Sequence, residues 1–292
     1  MKSLLLTFDL EEFNVPKDYG IDISTKEQCR ISNDGLLNLL VMLKRNNAKA
    51  TFFTTLVFAN NHPSSIKRLL SEGHELALHA YSHDHDYTNM PEKEAEFFIR
   101  KAKDDLERKF KTKINGFRGP QMRRPSYSLL NKIGLKYDSS LHPTFIPFLM
   151  AGYTKISNLF TGKKALNADY MTSYAKNFLK SRKIAKKDGV IVIPISVSPV
   201  ARLPMFWIAF RNLPLSYTTL CSQTALLDTN YLNLYFHPWE FTGLDTPRFS
   251  KIMNLITRNT GSPCLHKLES YIHWAKNKNI QTFTISQYLK LN

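Results

Sequence analysis

The stretch Ser3-Leu-Leu-Leu-Thr-Phe-Asp9-Leu-Glu11 decides the fold class, because a short apolar run ends here in two carboxylates. A run of this length and composition fits a buried β-strand, and we predict one over Leu4–Phe8. Asp9 and Glu11 are two positions apart, so strand geometry places both carboxylates on one face. Two adjacent like charges repel, and one of them usually has a cationic partner such as a metal ion. A pair of solvated loop acids is the alternative.

Strand-like and helix-like segments alternate outward from this stretch. The strands are predicted at Leu4–Phe8, Ala50–Leu56, His74–Leu78, Ile114–Phe117, Val190–Ile193 and Tyr231–Phe236. The helices are predicted at Asp34–Arg45, Ser64–Ser71, Pro91–Phe110, Ser126–Ile133, Pro247–Thr257, Leu265–Lys276 and Ile285–Leu289. Alternation with short links predicts an α/β fold with a parallel sheet and outer helices, either a closed or partly closed barrel or a doubly wound sheet.

Composition narrows the class of protein further. A chain of 292 residues with 43% apolar content can bury a sizeable core, so disorder is excluded as its main state. Three scattered cysteines are too few for a disulfide framework and favour a reducing compartment. The first apolar run is too short for the core of a signal peptide, and no run reaches the roughly 18–20 residues of a spanning helix. We therefore predict a cytoplasmic location.

A dense group of histidines follows the third predicted strand, in Gly73-His-Glu-Leu-Ala-Leu-His79-Ala-Tyr-Ser-His83-Asp-His85. His79 and His83 are four residues apart, which places them on the same face of a helix or of an extended strand. Two imidazoles at this spacing, with a carboxylate from elsewhere, make a three-ligand metal site with an open position for water. His74 is interpreted as a structural hydrogen-bonding residue, and His85 as a solvated loop residue.

Two further polar side chains stand at the ends of predicted strands. Arg118 follows the strand ending at Phe117, and His237 follows the strand ending at Phe236. Each has a simpler explanation, a surface ion pair for Arg118 and a core position against a tryptophan for His237. Together with Asp9, Glu11 and His79, however, they all fall at carboxyl ends of predicted parallel strands, and that face of an α/β barrel holds the active site.

These motifs resemble those of the polysaccharide deacetylase family (NodB homology, carbohydrate esterase 4). The matching segments, in consistent order over about residues 2–140 and 228–290, are Thr7-Phe-Asp9, Ala50-Thr-Phe-Phe53, Gly73-His-Glu75 with His79-Ala-Tyr-Ser-His83, Arg118-Gly-Pro120, and Leu234-Tyr-Phe-His237. The resemblance implies a distorted (β/α) barrel as a single domain over residues 1–292, with a basic, apolar insertion at about 139–227. It also implies metal-dependent removal of acetyl groups from N-acetylated sugars.

The resemblance also implies roles for individual residues. His79 and His83 would be metal ligands, Asp9 the catalytic base and Arg118 the residue that holds Asp9 ionised. His237 would protonate the leaving amine, with Asp138 as its supporting acid. The family's common first motif has two adjacent Asp residues, whereas Leu10 stands in the second place here.

Glu11 is therefore the best substitute metal ligand, and Glu12, which should face away from Asp9, is a weaker candidate. The expected ion is Zn²⁺, with Co²⁺, Fe²⁺, Mn²⁺ or Ni²⁺ as alternatives. Pro120, Tyr81 and Trp239, which stand in or next to the same motifs, are the predicted substrate-binding residues.

Residues 139–227 carry much of the net charge of +16. Eleven Lys and Arg residues stand there against only Asp169 and Asp188, for a segment charge of +9. Two proline-interrupted apolar stretches, Pro143–Met150 and Pro199–Phe210, lie in the same segment. We expect either a surface that meets anionic lipid headgroups or polyprenyl phosphate, or extra core with a solvated basic face. A cytoplasmic deacetylase with such a surface would act on a nucleotide-linked or lipid-linked precursor of a cell-envelope glycan.

Three other functions are possible. A nucleic-acid-binding protein would explain the charge, but no zinc-finger spacing or RNA-binding motif supports it, and we expect no nucleic acid as a partner. A non-catalytic sugar-binding barrel is compatible with the altered first motif. A hydrolase of other C–N bonds, including cyclic amides, would use the same fold, and His79, His83 and Glu11 together favour a form that keeps the metal.

Overall fold

The computed structural model describes residues 1–144, 177–244 and 246–291. In these ranges nine strands form one sheet, with the order β6-β7-β5-β4-β3-β2-β1-β8 and with β9 paired to β1. The strands are β1 (Ser3–Leu10), β2 (Ala50–Thr55), β3 (Glu75–Ala80), β4 (Gly116–Phe117), β5 (Tyr137–Asp138), β6 (Ala185–Lys187), β7 (Val190–Val192), β8 (Tyr231–Phe236) and β9 (Gln281–Thr282).

Helices surround the sheet. They are α1 (Val15–Asp18), α2 (Thr25–Arg45), α3 (Leu56–Asn61), α4 (Pro63–Ser71), α5 (Glu92–Phe110), α6 (Tyr127–Lys132), α7 (Trp207–Asn212), α8 (Leu215–Ala225), α9 (Pro247–Thr257), α10 (Ser262–Asn277) and α11 (Ile285–Leu289). Short 3-10 turns at Pro120–Met122 and Pro238–Phe241 follow β4 and β8. The predicted α/β fold is thus confirmed.

The sheet is parallel throughout except for the antiparallel pair β6–β7. It curls into a distorted barrel that is open between its edge strands β6 and β8. An irregular segment lies along β8 in this opening, where the backbone N–H of Ser196 donates to the carbonyl of Asn233 at 2.9 Å. Because the strands are parallel, the carboxyl ends of β1, β3, β4 and β8 meet at one end of the barrel.

Strand β1 is buried along its whole length, as expected for a parallel strand covered on both faces. Leu4 and Leu6 pack in the main core between sheet and helices, whereas Leu5 belongs to a second cluster with Phe53 and Tyr137. This alternation follows the two-residue period of a strand and fills both the inside and the outside of the barrel.

The structure corrects several predicted boundaries. The second helix begins at Thr25 rather than Asp34, because the Ser24 hydroxyl caps it by accepting from the backbone N–H of Glu27. Strands β5, β6 and β9 have only two or three residues, which is too short for periodicity to reveal.

The structure describes only part of the predicted insertion at residues 139–227. Its residues 145–176, with most of the first apolar stretch, lie outside the described residues. The rest supplies β6, β7, α7 and α8, and Val190, Phe210 and Cys221 pack in the main core. The second apolar stretch, Pro199–Phe210, therefore leads into a core helix in this part of the chain.

Gly35 in α2 sets how closely that helix approaches the turn after β8. A Cβ atom at this position would lie 1.8 Å from the carbonyl oxygen of Pro238. Only glycine allows this approach, so α2 and the turn that carries Trp239 and Glu240 pack backbone against backbone.

In residues 1–144, 177–244 and 246–291, no helix is both long enough and apolar enough to cross a bilayer.

Candidate metal centre and active site

The predicted metal ligands converge at the carboxyl end of the barrel. Glu11 follows β1, His79 lies in β3, and His83 follows β3. The Nε2 atoms of His79 and His83 lie 2.8 and 3.3 Å from the same carboxylate oxygen, Oε2 of Glu11. One ligand atom from each of the three residues lies within 4.8 Å of the others, and Glu11 and His79 are buried. The fold therefore brings together the three residues that the sequence predicted as metal ligands.

The donor set fits a divalent cation. One carboxylate and two imidazole nitrogens form a three-ligand group of the kind that leaves a position open for water or substrate. Among the described residues, neither ring nitrogen of the buried His79 has a hydrogen bond of good geometry, although Nε2 faces Glu11. A buried imidazole with this arrangement is more readily explained as a metal ligand than as a hydrogen-bonded core residue.

Electrostatics favour the charged form of Glu11. Burial alone would raise the pKa of this carboxyl, but His83, His79 and His237 lower it to about 2. For His79, burial lowers the pKa, and the nearby Asp9 and Glu11 outweigh burial and raise it. The site thus concentrates negative charge around the imidazoles, as a cation-binding centre requires.

Asn14 supports His83 and was missed by the sequence reasoning. Its side-chain amide nitrogen lies 2.6 Å from His83 Nδ1 and 3.3 Å from Asp84 Oδ1. The orientation of an amide group is assigned from its neighbours. With the amide turned so that its oxygen faces His83, the hydrogen bond to Asp84 is given up, Nδ1–H would donate to Asn14, and the Nε2 lone pair would be left for a cation. No sequence signal marks Asn14, because it lies in a loop with no strand period.

Asp9 forms a buried ion pair with Arg118. A guanidinium nitrogen of Arg118 lies 2.7 Å from Asp9 Oδ1, and the Arg118 side chain is fully buried. The remaining guanidinium donors bind Thr7 Oγ1 and Ser139, and the group packs over Phe53 with 4.2 Å to the ring centroid. Arg118 is thereby fixed, and it orients one oxygen of Asp9 while the other remains available.

The predicted contact between Asp138 and His237 is wrong. Asp138 accepts hydrogen bonds from the Ser140 hydroxyl at 2.6 Å and from the Ser140 backbone N–H at 3.2 Å. Burial raises its pKa despite the opposing influence of Arg124. Ser140 Oγ in turn accepts from the backbone N–H of Gly119, so Asp138 supports the loop that follows Arg118. The sequence placed Asp138 at a strand end but could not show which neighbour it faces.

The carboxylate that contacts His237 belongs to Glu240. Glu240 Oε1 accepts from the backbone N–H of His237 at 2.7 Å and lies 3.3 Å from its Nδ1. The opposite nitrogen, Nε2, lies 3.7 Å from Glu11 Oε1 and so faces the metal ligands. Burial lowers the pKa of His237, and Glu240 and Glu11 outweigh burial and raise it. Glu240 stands three residues after His237, the N-cap of the turn. This spacing is a capping pattern that could have identified Glu240 from the sequence.

The three predicted substrate-binding residues lie in different environments. Trp239 is 1% exposed and stacks under the His237 ring at 5.1 Å, so a direct contact with substrate does not fit its position. Pro120 is also buried, as the first residue of a 3-10 turn. Tyr81 is half-buried and stacks on His85, and its role stays a prediction. Trp207, which the sequence reasoning missed, is half-buried and meets the His237 ring edge-on at 5.0 Å.

Glu12 lies apart from the metal ligands, as predicted from its place in the strand. It is buried and accepts a hydrogen bond from Thr55 Oγ1 at 2.6 Å. Glu11, and not Glu12, is therefore the carboxylate that faces His79 and His83.

The curled parallel sheet carries at its carboxyl end a Glu-His-His group that could hold a metal ion. Residues 2–137, just under half of the chain, match the sequence model of the family described as polysaccharide deacetylase. This region of the chain is thus similar to polysaccharide deacetylases.

Two curated relatives share part of this chain. Peptidoglycan-N-acetylmuramic acid deacetylase PdaC of Bacillus subtilis is 31% identical over 126 residues, covering 41% of this chain and 26% of that protein. Peptidoglycan-N-acetylglucosamine deacetylase of Bacillus cereus is 33% identical over 99 residues, covering 34% of each chain. The chain thus spans about a quarter to a third of the length of these relatives.

A solved structure shares the fold. It is a probable polysaccharide deacetylase from Pseudomonas aeruginosa PAO1, with a TM-score of 0.59 and 16% identity over 96% of this chain and 86% of that chain. At this identity the likeness shows the fold alone, and it matches the curled barrel described above.

Proposed function

We propose that this protein is a divalent-metal-dependent N-deacetylase that releases acetate from an N-acetylated sugar of a cell-envelope glycan. The observation that carries the proposal is the convergence of Glu11, His79 and His83 at the barrel end that also carries Asp9 and His237. The names of the curated relatives, both peptidoglycan deacetylases, support the reaction class and the glycan.

Amide hydrolysis needs an activated water, a stabilised oxyanion and a protonated leaving amine. Glu11, His79 and His83 would hold a divalent ion, which would lower the pKa of a bound water and polarise the amide carbonyl. Asp9 accepts the proton of the attacking water, and Arg118 holds the Asp9 carboxylate in a fixed orientation at 2.7 Å. We propose Zn²⁺ as the ion, because two imidazoles and one carboxylate are ligands that zinc accepts.

His237 would supply the proton that the leaving amine needs. Its raised pKa keeps the ring protonated nearer to neutral pH, and Glu240 holds Nδ1 so that Nε2 faces the metal ligands. From this position Nε2–H donates to the nitrogen of the departing amine. Without that proton the leaving group would be an amide anion, which is far too basic to leave in water.

Acetate release is the direct test of the proposed activity. Purified protein is incubated with UDP-N-acetylglucosamine, a polyprenyl-diphosphate-linked N-acetylhexosamine or N,N′,N″-triacetylchitotriose, and acetate is measured with and without chelator. We expect release from at least one substrate, its loss with chelator, and its recovery with added Zn²⁺. Release of ammonia or ring-opened product from a cyclic amide instead, or sugar binding without any turnover, would contradict the proposal.

A matched pair of variants tests the metal ligands. His79→Ala should lose both bound zinc and acetate release, because it removes one of three protein ligands. His74→Ala is the control, because His74 is a buried histidine that precedes the same strand at its other end. If His79→Ala still bound one zinc ion per chain and turned over normally, the assignment would be wrong.

We also propose that the substrate is a nucleotide-linked or lipid-linked precursor, met in the cytoplasm or at the inner face of the membrane. Two exposed apolar side chains support a membrane contact, Leu179 at 87% and Val200 at 96% exposure. Arg202 donates to the Lys180 carbonyl at 3.1 Å and so joins the loops that carry them. Apolar tips among cations suit an anionic lipid surface.

Liposome flotation tests this part separately. We expect salt-sensitive binding to phosphatidylglycerol vesicles and weaker binding by a Leu179→Ser, Val200→Ser double variant. Val41→Ser is the control, because Val41 is an exposed apolar residue on α2. Failure to bind at low salt would contradict the membrane contact while leaving the deacetylase proposal intact.

A further inference from the structure

Arg211 is a buried residue that has no part in the proposed reaction. It lies in α7, its side chain is fully buried, and Nε is 2.7 Å from Glu240 Oε2. Its two terminal nitrogens donate to the backbone carbonyls of Arg258 at 2.8 Å and Ile256 at 2.6 Å, at the end of α9. The two terminal nitrogens are therefore held by hydrogen bonds, whereas Nε is in ion-pair contact with Glu240 without hydrogen-bond geometry.

Glu240 divides its two carboxylate oxygens between two partners. Oε1 faces His237, at 2.7 Å from the backbone nitrogen and 3.3 Å from Nδ1, whereas Oε2 faces Arg211. Oε1 thus accepts a hydrogen bond and Oε2 is in ion-pair contact, so rotation of the carboxylate about its last bond would disturb both contacts. The position of the His237 ring is in this way tied to Arg211 through a single side chain.

The aromatic neighbours of His237 make the same connection. Trp239 stacks under the ring at 5.1 Å and Trp207 meets it edge-on at 5.0 Å. The guanidinium carbon of Arg211 lies 5.4 Å from the Trp207 ring centroid and 5.9 Å from that of Trp239. Arg211 therefore contacts all three side chains, Glu240, Trp207 and Trp239, that hold the imidazole.

Stability alone is a weak reason for such a pair. Burying two charges costs several kcal/mol per ion in desolvation, and apolar replacements of buried ion pairs are often neutral or stabilising. The arrangement is better explained by orientation, since a fixed carboxylate fixes both the tautomer and the direction of the histidine it contacts.

We propose that Arg211 is a positioning residue, which holds Glu240 so that the His237 imidazole presents Nε2 to the Glu11–His79–His83 group. The inference rests on the proposed function for its catalytic meaning. Its structural content, that Arg211 orients His237, is independent of any turnover.

Kinetics of the zinc-loaded chain give the first readout. Arg211→Met should lower kcat by about 10–100-fold, the usual cost of losing such a supporting partner, while KM and zinc content stay the same. Arg211→Lys should recover part of that loss, because a lysine ammonium can still reach the Glu240 carboxylate. A purely structural role would lower the yield of folded protein and would not produce a selective loss of kcat.

Two further variants control the kinetics. Arg182→Met removes another arginine that pairs with a carboxylate, that of Asp228, and donates to a backbone carbonyl, and its kcat should be unchanged. Arg211→Met combined with Glu240→Gln should be no worse than the more severe single variant, since both act through one contact. An unchanged kcat in Arg211→Met, or equal losses in Arg211→Met and Arg211→Lys, would overturn the proposal.

A second readout does not depend on activity. In zinc-loaded protein with ¹⁵N-labelled histidine, the His237 signals are assigned by their loss in His237→Gln. We expect a protonated Nδ1 in the wild type and a mixture of tautomers in Arg211→Met. A wild type without acetate release would refute the proposed function, while identical His237 spectra in the two proteins would refute the positioning role.

Discussion

Two buried arginine–carboxylate pairs flank the metal ligands, and they differ in what the carboxylate does. Arg118 binds Asp9, the proposed catalytic base. Arg211 binds Glu240, which contacts the His237 ring at Nδ1. Both contacts measure 2.7 Å, and both arginines are fully buried. The two contacts have the same length, but only Arg118 and Asp9 form a hydrogen bond. They also differ in position, because the His237 ring lies between Glu240 and Glu11.

The largest effect is expected from the pair of Arg118 and Asp9. Asp9→Asn removes the proton acceptor while an amide oxygen can still accept from Arg118, so the fold and bound zinc should persist. Turnover should fall by about 10²–10⁴-fold, the range for a general base. The loss should appear with both an N-acetyl sugar and an aryl acetate ester, because both need an activated water. Near-normal turnover of either substrate would show that Asp9 is not the base.

His237, which the pair of Arg211 and Glu240 supports, should contribute in a way that depends on the leaving group. His237→Gln should lower amide hydrolysis by about 10²–10⁴-fold, since the amine must be protonated to leave. An aryl acetate ester has a good leaving group, so its hydrolysis should change much less than that of the amide. Comparing the two substrates in each variant separates the base side from the acid side. Equal losses on amide and ester in His237→Gln would remove the distinction between the two pairs.

Asn14 supports the metal ligands and belongs to neither pair. Asn14→Leu should weaken zinc binding by about 10–100-fold, the usual cost of losing a partner of a metal-bound histidine. At saturating zinc the variant should recover most of its kcat, which neither Asp9→Asn nor His237→Gln can do. A zinc affinity equal to that of the wild type, measured by competition with a chelating dye, would exclude this role.

The smallest effect is expected on the pH profile. Burial lowers the pKa of His237, and the hydrogen bond with Glu240 contributes most to raising it. Glu240→Gln removes the charge, so the His237 pKa should fall and the ring should lose its proton at a lower pH. The alkaline limb of kcat/KM should then move to lower pH. A limb that stays in place would show that Glu240 acts only through the backbone of its turn.

The convergence of Glu11, His79, Asp9 and Arg118 could be predicted from the sequence, because these residues stand at strand ends. Glu11, His79 and Arg118 each stand where a parallel strand terminates, and such ends meet at one face. His83 followed from its spacing to His79.

The acid side depends on folding that carries no local pattern. Glu240 contacts His237 only because a 3-10 turn follows β8 directly, whereas Asp138, at a similar strand end, faces Ser140. Arg211 approaches from a helix almost thirty residues upstream, and no spacing rule connects it with the turn. The fold class was predictable for the same reason as the base side, while the short strands β5, β6 and β9 were not.

Gly35 has a consequence for variants selected by loss of activity. Helix α2 supplies none of the residues assigned to the site, yet its backbone at Gly35 fixes the depth of the turn that carries Trp239 and Glu240. A single added methyl group would displace that turn, and with it the support of His237. A random screen for inactive but folded protein should therefore recover substitutions at Gly35, far along the chain from every recognisable motif.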